Sequence, residues 1–559
     1  MAIAWSLWLI AGTGLLFAWI TSRVDGRSLA PVLRHRHAAL GVAVFLGVVL
    51  AGLRVGGYPD RGWLLDEVPP RDIRLAVQSA FSAGWFHLYP PLNFYLLGAA
   101  TSPFLTLHGR DLVDMDAPGT YATVHVVMRA FTVMMALATL LATMRLAART
   151  VGASAAAFVP WLLAAVPIVA FYGKTSNVDM AYVFWLIVAL IAFLRCLEER
   201  QLVHHVWLGC LVALAVATKD QAYGFFPGVA LALLWQTWRE DADRPVGARV
   251  AGVLGDRRLW AGAAACAVVY AVVLGVIWNP NGVREHVDVI TGQGSAGFRM
   301  FPFTPAGLTQ LLLTTVGVFV SLLGPVTAVL CLAGVVRVLR APARFARLSL
   351  LLIPAVSYLV TFMCVVGYVY DRFLLGTAVV AVLFACLGID TLLARLRGTT
   401  PRVLAGVATL AVALGPSVSL DWRLTHDSRF DAERWMAANL PEEPFVLGIG
   451  NRAYLPNLYP FRHQLLFTTI GTRLVAWGAD VVVANRQWER PDQPSLEAAG
   501  AALAEAGYAP TLELPGTAGR HWLVRAAAWG TDVPDYYSNL DKIDPPIAVW
   551  IRPRETDAR

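Results

Sequence analysis

Apolar residues run in long blocks from residue 3 to residue 420, with polar residues gathered in the gaps between them. About 20 apolar residues in a helix cover the ~30 Å hydrocarbon core of a bilayer. Twelve spans are predicted, over 3–20, 38–57, 123–147, 153–171, 181–197, 205–219, 222–238, 259–278, 307–337, 348–366, 373–392 and 402–420. The expected fold is therefore mainly α, a polytopic transmembrane helix bundle. The block 3–20 has no charged leader and no small-residue cleavage site, so it reads as a span and not as a cleaved signal. One apolar stretch, "LYPPLNFYLLGAATSPFLTL" (88–107), resists this count, because a full crossing there would invert every later loop. It reads better as a juxtamembrane or re-entrant segment inside one long outer loop, 58–122, with its Pro-Pro pair opening an interfacial helix.

After residue 420 the periodicity changes. "DAERWMAANL" (431–440) and "SLEAAGAALAEAGY" (495–508) read as amphipathic helices. "FVLGI" (445–449), "QLLFTT" (464–469), "DVVVAN" (480–485), "HWLVRA" (521–526) and "IAVWI" (547–551) read as strands. A small layered α/β domain is expected. The chain thus divides into an extra N-terminal span and loop (1–37), a transmembrane module (38–420) and a C-terminal extracytoplasmic α/β domain (421–559).

Composition sharpens the picture. The chain is 57% hydrophobic and 15% charged, with a mean hydropathy of +0.58. Its net charge of +7 does not point to nucleic acid: residues 421–559 carry a net of −4 and residues 1–420 a net of +11. That excess sorts by loop. Twenty arginines, including Arg23, Arg27, Arg145, Arg149, Arg195, Arg200, Arg258, Arg337, Arg347 and Arg402, fall in one alternating set of connections. The positive-inside rule places that set in the cytoplasm. Both termini are then extracytoplasmic, in a multi-pass protein of the inner (plasma) membrane. All six cysteines lie in or beside apolar runs and show no disulfide or zinc spacing.

The candidate chemistry collects in the other, outer set of loops. "WLLDEVPPRD" (63–72) sets Asp66 and Glu67 side by side just outside the bilayer. His87 and Tyr89 lie in "HLYPPLNFY", Lys174, Asn177 and Asp179 in "FYGKTSNVDM", Lys219 in "TKDQAYG" and Arg372 in "YVYDRFLL". The chain has only three lysines against 42 arginines, and two of them, Lys174 and Lys219, stand at outer ends of spans where topology does not ask for positive charge. An ammonium there suits a phosphate, or snorkels to the headgroups. An acid pair facing several cations suits attack by a hydroxyl on a carbon whose leaving group is a phosphate: a carboxylate takes the proton and cations hold the departing charge. The plainer readings are an N-cap for a loop helix by Asp66 and Glu67, a cap by Asp179 of its own span, an Asp371–Arg372 ion pair, and turn chemistry at "WNPNG" (278–282).

At these residues the stretch 50–225 resembles the polyprenyl-phosphate-dependent glycosyltransferases of the GT-C class, which includes the protein O-mannosyltransferases and the lipid A aminoarabinose transferase. The landmarks are "DE" (66–67), "HLYPPLNFYLL" (87–97), "FYGKTSNVDMAYVFW" (171–185), "LAVATKDQAYGFF" (214–226) and, late in the bundle, "DRFLL" (371–375). The resemblance implies Asp66 as general base with Glu67 orienting the acceptor or the base. It implies Lys219 and Arg372 near the lipid phosphate, and Lys174 where the family often has Arg. His87 stands where relatives carry His or Lys. Tyr89, Asn177 and Asp179 are candidates for substrate contact. The implied partners are a polyprenyl-phosphate sugar donor and a lipid, glycan or protein acceptor, and the implied reaction is inverting transfer of one sugar. No cofactor is expected; a divalent cation on Asp66, Glu67 and Asp179 is the alternative. The competing functions are a lipid-linked saccharide transporter or flippase, and a non-enzymatic envelope assembly protein. The span 3–20 and the tail from 421 fall outside the family's shared core. "DYYSNLDKIDPPIAVW" (535–550) in that tail suits packing against the bundle, or contact with a saccharide.

Overall fold

Helices form where the apolar runs are uninterrupted, and several of the breaks between them fall at proline or glycine, although Pro103 and Pro416 lie inside helices. The computed structural model describes residues 2–57, 63–64, 66–79, 88–106, 118–292, 298–450, 452–466, 478–485, 496–516, 522–527 and 537–553. Among them, eight helices are long and apolar enough to cross a membrane, not the twelve expected. The difference has local causes. Pro160 and Pro167 break the run 153–171 into Ala153–Ala156, Val159–Ala165 and Pro167–Tyr172. Gly324 and Pro325 divide 307–337 into Pro305–Leu323 and Pro325–Arg340. Arg36–Leu50 and Leu202–Val216 are regular but only 15 residues long, short of a full ~30 Å crossing.

The bundle has an inner and an outer set of helices. Asp179–Glu199 and Leu375–Ala394 are buried along nearly all their length, whereas Ala2–Asp25 and Arg257–Leu274 show most of their apolar surface to lipid. Where two helices approach closely, glycine makes it possible. A Cβ on Gly388 would lie 2.0 Å from the Leu330 carbonyl oxygen, and one on Gly334 1.9 Å from that of Phe384. Pro325–Arg340 therefore packs directly on Leu375–Ala394, backbone against backbone.

The two ends of the bundle differ in charge. At one end Asp25 pairs with Arg149 (3.0 Å) and Arg145 (3.5 Å), and Glu198 binds both Arg149 and Arg347. These arginines belong to the set placed in the cytoplasm. Asp66, Lys174, Asp179, Lys219 and Arg372 gather at the opposite end, together with the C-terminal domain. Since Asp25 ends the first helix at the Arg-rich end, Ala2 and the tail both lie on the extracytoplasmic side.

The C-terminal domain is a five-stranded sheet between helices. Its strands are β1 (Phe445–Ile449), β2 (Arg462–Leu466), β3 (Val481–Asn485), β4 (Ala509–Leu514) and β5 (Ile547–Ile551), in the order β2-β1-β3-β5-β4. β1 pairs parallel with β2 and β3, and β5 antiparallel with β3 and β4. Alternate residues face the two sides. Val446, Val481, Val483 and Val549 pack on Ala432 and Met436 of the helix Ser428–Asn439, while Leu447, Val482 and Trp550 pack on Leu503 of the helix Leu496–Glu505. The strand expected at "HWLVRA" is not one. Trp522–Ala527 is helical instead and lies against the last membrane helix, Thr399–Thr425, where Ser419 Oγ donates to the Val524 carbonyl (2.8 Å). An apolar run of six residues does not by itself distinguish the two, and β4 ("APTLEL"), absent from the expected strands, takes the edge position.

Candidate active site

The acid pair sits in the connection after Arg36–Leu50 and before the short helix Pro70–Gln78. Pro69 occupies the N-cap position of that helix and Pro70 begins it, so neither acid caps it. Asp66 has φ +64, the left-handed region that Asp and Asn tolerate better than other side chains. This local reversal sends the two neighbouring carboxylates to different partners.

Glu67 turns into the bundle. Arg129 binds it through both oxygens, Nε to Oε1 at 2.8 Å and Nη2 to Oε2 at 2.6 Å. His125 Nε2 lies 3.1 Å from Oε2, and the Ser176 backbone N–H donates to Oε1 at 2.9 Å. The carboxylate side chain is 3% exposed and that of Arg129 1%. Burial alone would raise the Glu67 pKa, but Arg129 and His125 together hold it well below the usual carboxylate range. Arg129 spends its remaining donors on the Leu53 and Val55 carbonyls. Glu67 thus clamps the loop to the helix Pro118–Thr150 and to residue 176.

Asp66 stays at the rim, with its side chain 31% exposed. Arg372 Nη1 pairs with Oδ2 at 3.0 Å, and Asn539 Nδ2 donates to the same oxygen at 2.6 Å. Burial pushes the Asp66 pKa up; Arg372, the Asn539 hydrogen bond, Lys219 and Lys542 outweigh it, so the net shift is downward. Arg372 also donates to the Tyr89 hydroxyl (3.3 Å) and lies over the rings of Tyr370 and Phe373. Its Nε has no acceptor among the described residues. Lys219, in the turn after Leu202–Val216, pairs with Asp179 Oδ1 and stands 5.6 Å and 5.8 Å from the ring centres of Tyr182 and Phe373. Burial lowers its pKa to about 8, against the opposing pull of Asp179.

The remaining candidates have other surroundings. Lys174 is fully buried and its three N–H groups have three protein acceptors: the Val48 carbonyl (2.7 Å), the Ala51 carbonyl (2.9 Å) and Asp421. It staples the last membrane helix to Arg36–Leu50 and has no donor left for a phosphate. Asn177 uses its side chain on Thr175 Oγ1 and on the Asp179 N–H (2.9 Å), opening the helix Asp179–Glu199. Asp179 is therefore the first residue of this span and not its cap: Val178 holds the N-cap position without a side-chain hydrogen bond, and the Asn177 amide oxygen accepts from the Asp179 N–H just outside it. Asp371 does not salt-bridge Arg372. It accepts from the Tyr172 hydroxyl (2.9 Å), Ser538 Oγ (2.8 Å) and the Asn539 backbone N–H (2.8 Å). Asn279 caps the helix Pro280–Thr291 through the Gly282 N–H, the turn chemistry expected of "WNPNG". His87 lies outside the described residues.

Sequence reasoning brings out Asp66, Arg372, Lys219 and Tyr89, which the structure gathers at one rim. It misses Asn539, Tyr172, Arg129 and His125. The segment 535–550 stands out as aromatic and acidic, and its described part does pack on the bundle, but nothing in its spacing singles out an asparagine. Arg129 and His125 lie a helical turn apart inside an apolar span, a signal that buried charge in a membrane helix carries a role. The three acids considered as cation ligands have separate partners: Glu67 on Arg129, Asp179 on Lys219, Asp66 on Arg372. Among the described residues no group of three or more His, Cys, Asp or Glu is placed to hold a metal.

Residues 122–255 match the family described as dolichyl-phosphate-mannose-protein mannosyltransferase. The matched residues include Arg129, Asp179 and Lys219. Among solved structures, ArnT from Cupriavidus metallidurans bound to undecaprenyl phosphate is similar at 14% identity, covering 91% of this chain and 97% of that one, with a TM-score of 0.45. The same protein in its apo state is 15% identical over 80% of this chain and 92% of that one, with a TM-score of 0.43. The Archaeoglobus fulgidus oligosaccharyltransferase in complex with zinc and sulfate is 13% identical over 80% of this chain and 68% of that one, with a TM-score of 0.42. No curated protein sequence matches the chain.

Proposed function

We propose that the protein is an inverting glycosyltransferase that moves a sugar from a polyprenyl-phosphate donor to an acceptor hydroxyl at the extracytoplasmic face. The observation that carries this reading is Asp66: a carboxylate at the rim, held ionised, one oxygen tied to Arg372 and the other without a partner among the described residues. Asp66 takes the proton from the acceptor hydroxyl. The resulting oxygen bonds to the anomeric carbon on the face opposite the phosphate. The bond from that carbon to the phosphate oxygen breaks, and its electron pair leaves on the polyprenyl phosphate, with inversion at carbon. Arg372, which keeps an Nε–H without an acceptor among the described residues, and Lys219 meet the charge that grows on that phosphate. Glu67 is a positioning residue that fixes the loop. Tyr89 flanks the guanidinium and Asp179 sets the Lys219 ammonium.

The reaction is proposed to run without a divalent cation, because Arg372 and Lys219 already supply the positive charge that a metal would bring. The acceptor is a lipid, glycan or protein hydroxyl presented at the membrane surface. The acids and cations of the candidate site gather at the outer end of the bundle, which suits this reading better than transport of a lipid-linked saccharide. The test is transfer from a radiolabelled panel of polyprenyl-phosphate sugars into membrane acceptors by wild type and Asp66→Asn at matched expression. Transfer that disappears in the variant supports the reading; undiminished transfer refutes Asp66 as base.

A further inference from the structure

Resting on the functional reading above, we infer that Asn539 is a positioning residue supplied by the C-terminal domain, whose amide pins Oδ2 of Asp66 and leaves Oδ1 to take the acceptor's proton. Two donors meet on one oxygen: Arg372 Nη1 at 3.0 Å from the bundle and Asn539 Nδ2 at 2.6 Å from the tail. One contact leaves a carboxylate free to turn about its own bond. Two contacts from different directions fix its plane, and both fall on Oδ2, while Oδ1 has no partner among the described residues.

Chemistry decides which way the Asn539 amide faces. The Lys542 ammonium can only donate, and it donates to the Tyr370 hydroxyl (3.1 Å). Tyr370 then has its own proton for Asn539 Oδ1, so the NH2 group must point to Asp66. The same NH2 nitrogen lies 3.2 Å from the Tyr172 hydroxyl, whose proton is given to Asp371.

The amide is also rigidly held. Asn539 is 2% exposed. Its backbone N–H and the neighbouring Ser538 hydroxyl both donate to Asp371 Oδ2 at 2.8 Å. The Asp371 N–H returns a bond to the Tyr537 carbonyl (2.8 Å). Asp371 adjoins Arg372 in the chain, so the two donors on Asp66 share one anchor. Arg423 Nη2 on the last membrane helix ties down the far side of the segment through the Ile543 carbonyl (2.6 Å). The tail is therefore part of the site's frame, and the bundle does not hold Asp66 in this geometry without residues 537–543.

The experiment titrates Asp66 in the full-length, membrane-embedded protein by infrared difference spectroscopy. The carboxyl band that vanishes in Asp66→Asn identifies the residue, and kcat for sugar transfer is followed against pH in parallel. In Asn539→Ala the infrared midpoint and the acid limb of kcat both move to higher pH, because the carboxylate has lost a donor. Values of kcat fall about 10- to 100-fold, and the donor KM stays within about two-fold. Asn539→Asp, isosteric and so informative even if Asn539→Ala fails to dock, moves the midpoint further in the same direction. Ser538→Ala loosens the same docking contact and leaves the Asp66 midpoint where it is. An unmoved midpoint in both Asn539 variants, with transfer lost in Asp66→Asn, overturns the positioning role alone. Transfer that survives Asp66→Asn overturns the functional reading, and the assignment of Oδ1 with it.

Discussion

Asp66 and Glu67 are joined by one peptide bond and live in opposite environments. Around Glu67 both carboxylate oxygens are bound, by Arg129 twice, His125 Nε2 and the Ser176 amide, with almost no exposure. Around Asp66 the donors converge on one oxygen and the other faces the rim. The left-handed backbone at Asp66 separates the two. A saturated buried carboxylate suits a structural role; a half-satisfied, reachable one suits chemistry. The two buried lysines repeat the contrast. Lys174 has every N–H engaged, whereas Lys219 has one carboxylate partner and two aromatic rings.

The strongest way to break this contrast is to exchange the two acids' fates. Asp66→Asn is expected to lower transfer by about 10²- to 10⁴-fold, the range for loss of a general base. Abundance in the membrane should stay that of wild type, since Asn also accepts the left-handed backbone. Glu67→Ala is expected to act the other way, through stability. It strands the Arg129 charge in the interior at a cost of about 3–5 kcal/mol, measurable as a lower thermal midpoint and lower abundance. Adding Arg129→Met should recover part of that loss, which a purely catalytic Glu67 would not allow.

The lysines sharpen the contrast further down the scale. Lys219→Met is expected to raise the donor KM about tenfold, the loss of one charge-assisted contact of about 1.4 kcal/mol, and to lower the thermal midpoint as well, because it leaves the buried Asp179 unpaired. Lys174→Met should destabilise the protein by leaving Asp421 unpaired, with the donor KM unchanged. A smaller effect is read in pH. Since the Asp66 pKa is depressed, its carboxylate stays charged as pH falls through the usual aspartate range, so kcat should hold steady there. Since that of Lys219 lies at about 8 in the donor-free protein, its ammonium is lost above that pH, and the donor KM should climb. The smallest effect expected is none: EDTA should leave transfer at its untreated rate.

Much of the site is legible in the sequence alone. The order of the motifs and the sidedness of the arginines place Asp66, Lys219 and Arg372 on one face of a membrane. A pattern of apolar runs and charge counts carries that information because bilayer insertion is itself a matter of hydropathy and charge. The role of Lys174 is not legible there. Its partner Asp421 lies 247 residues away, and only packing of the last membrane helix brings the two together. The count of spans reads too high for a related reason. Hydropathy does not register that Pro160, Pro167 and Pro325 break a helix without making a run less apolar.

By itself the sequence determined that this is a polytopic membrane protein with a small α/β domain at its end and an acid pair in its first outer loop. These follow from local properties, residue hydrophobicity, periodicity and charge, that each segment carries wherever it lies. Only the tertiary structure decided which acid of the pair is free, because that depends on one residue's left-handed turn and on where Arg129 and Arg372 arrive from other helices. It also decided that the tail belongs to the site. Asn539 is 473 residues from Asp66 along the chain, and a contact over that distance is made by the packing of two domains, which no short stretch of sequence encodes.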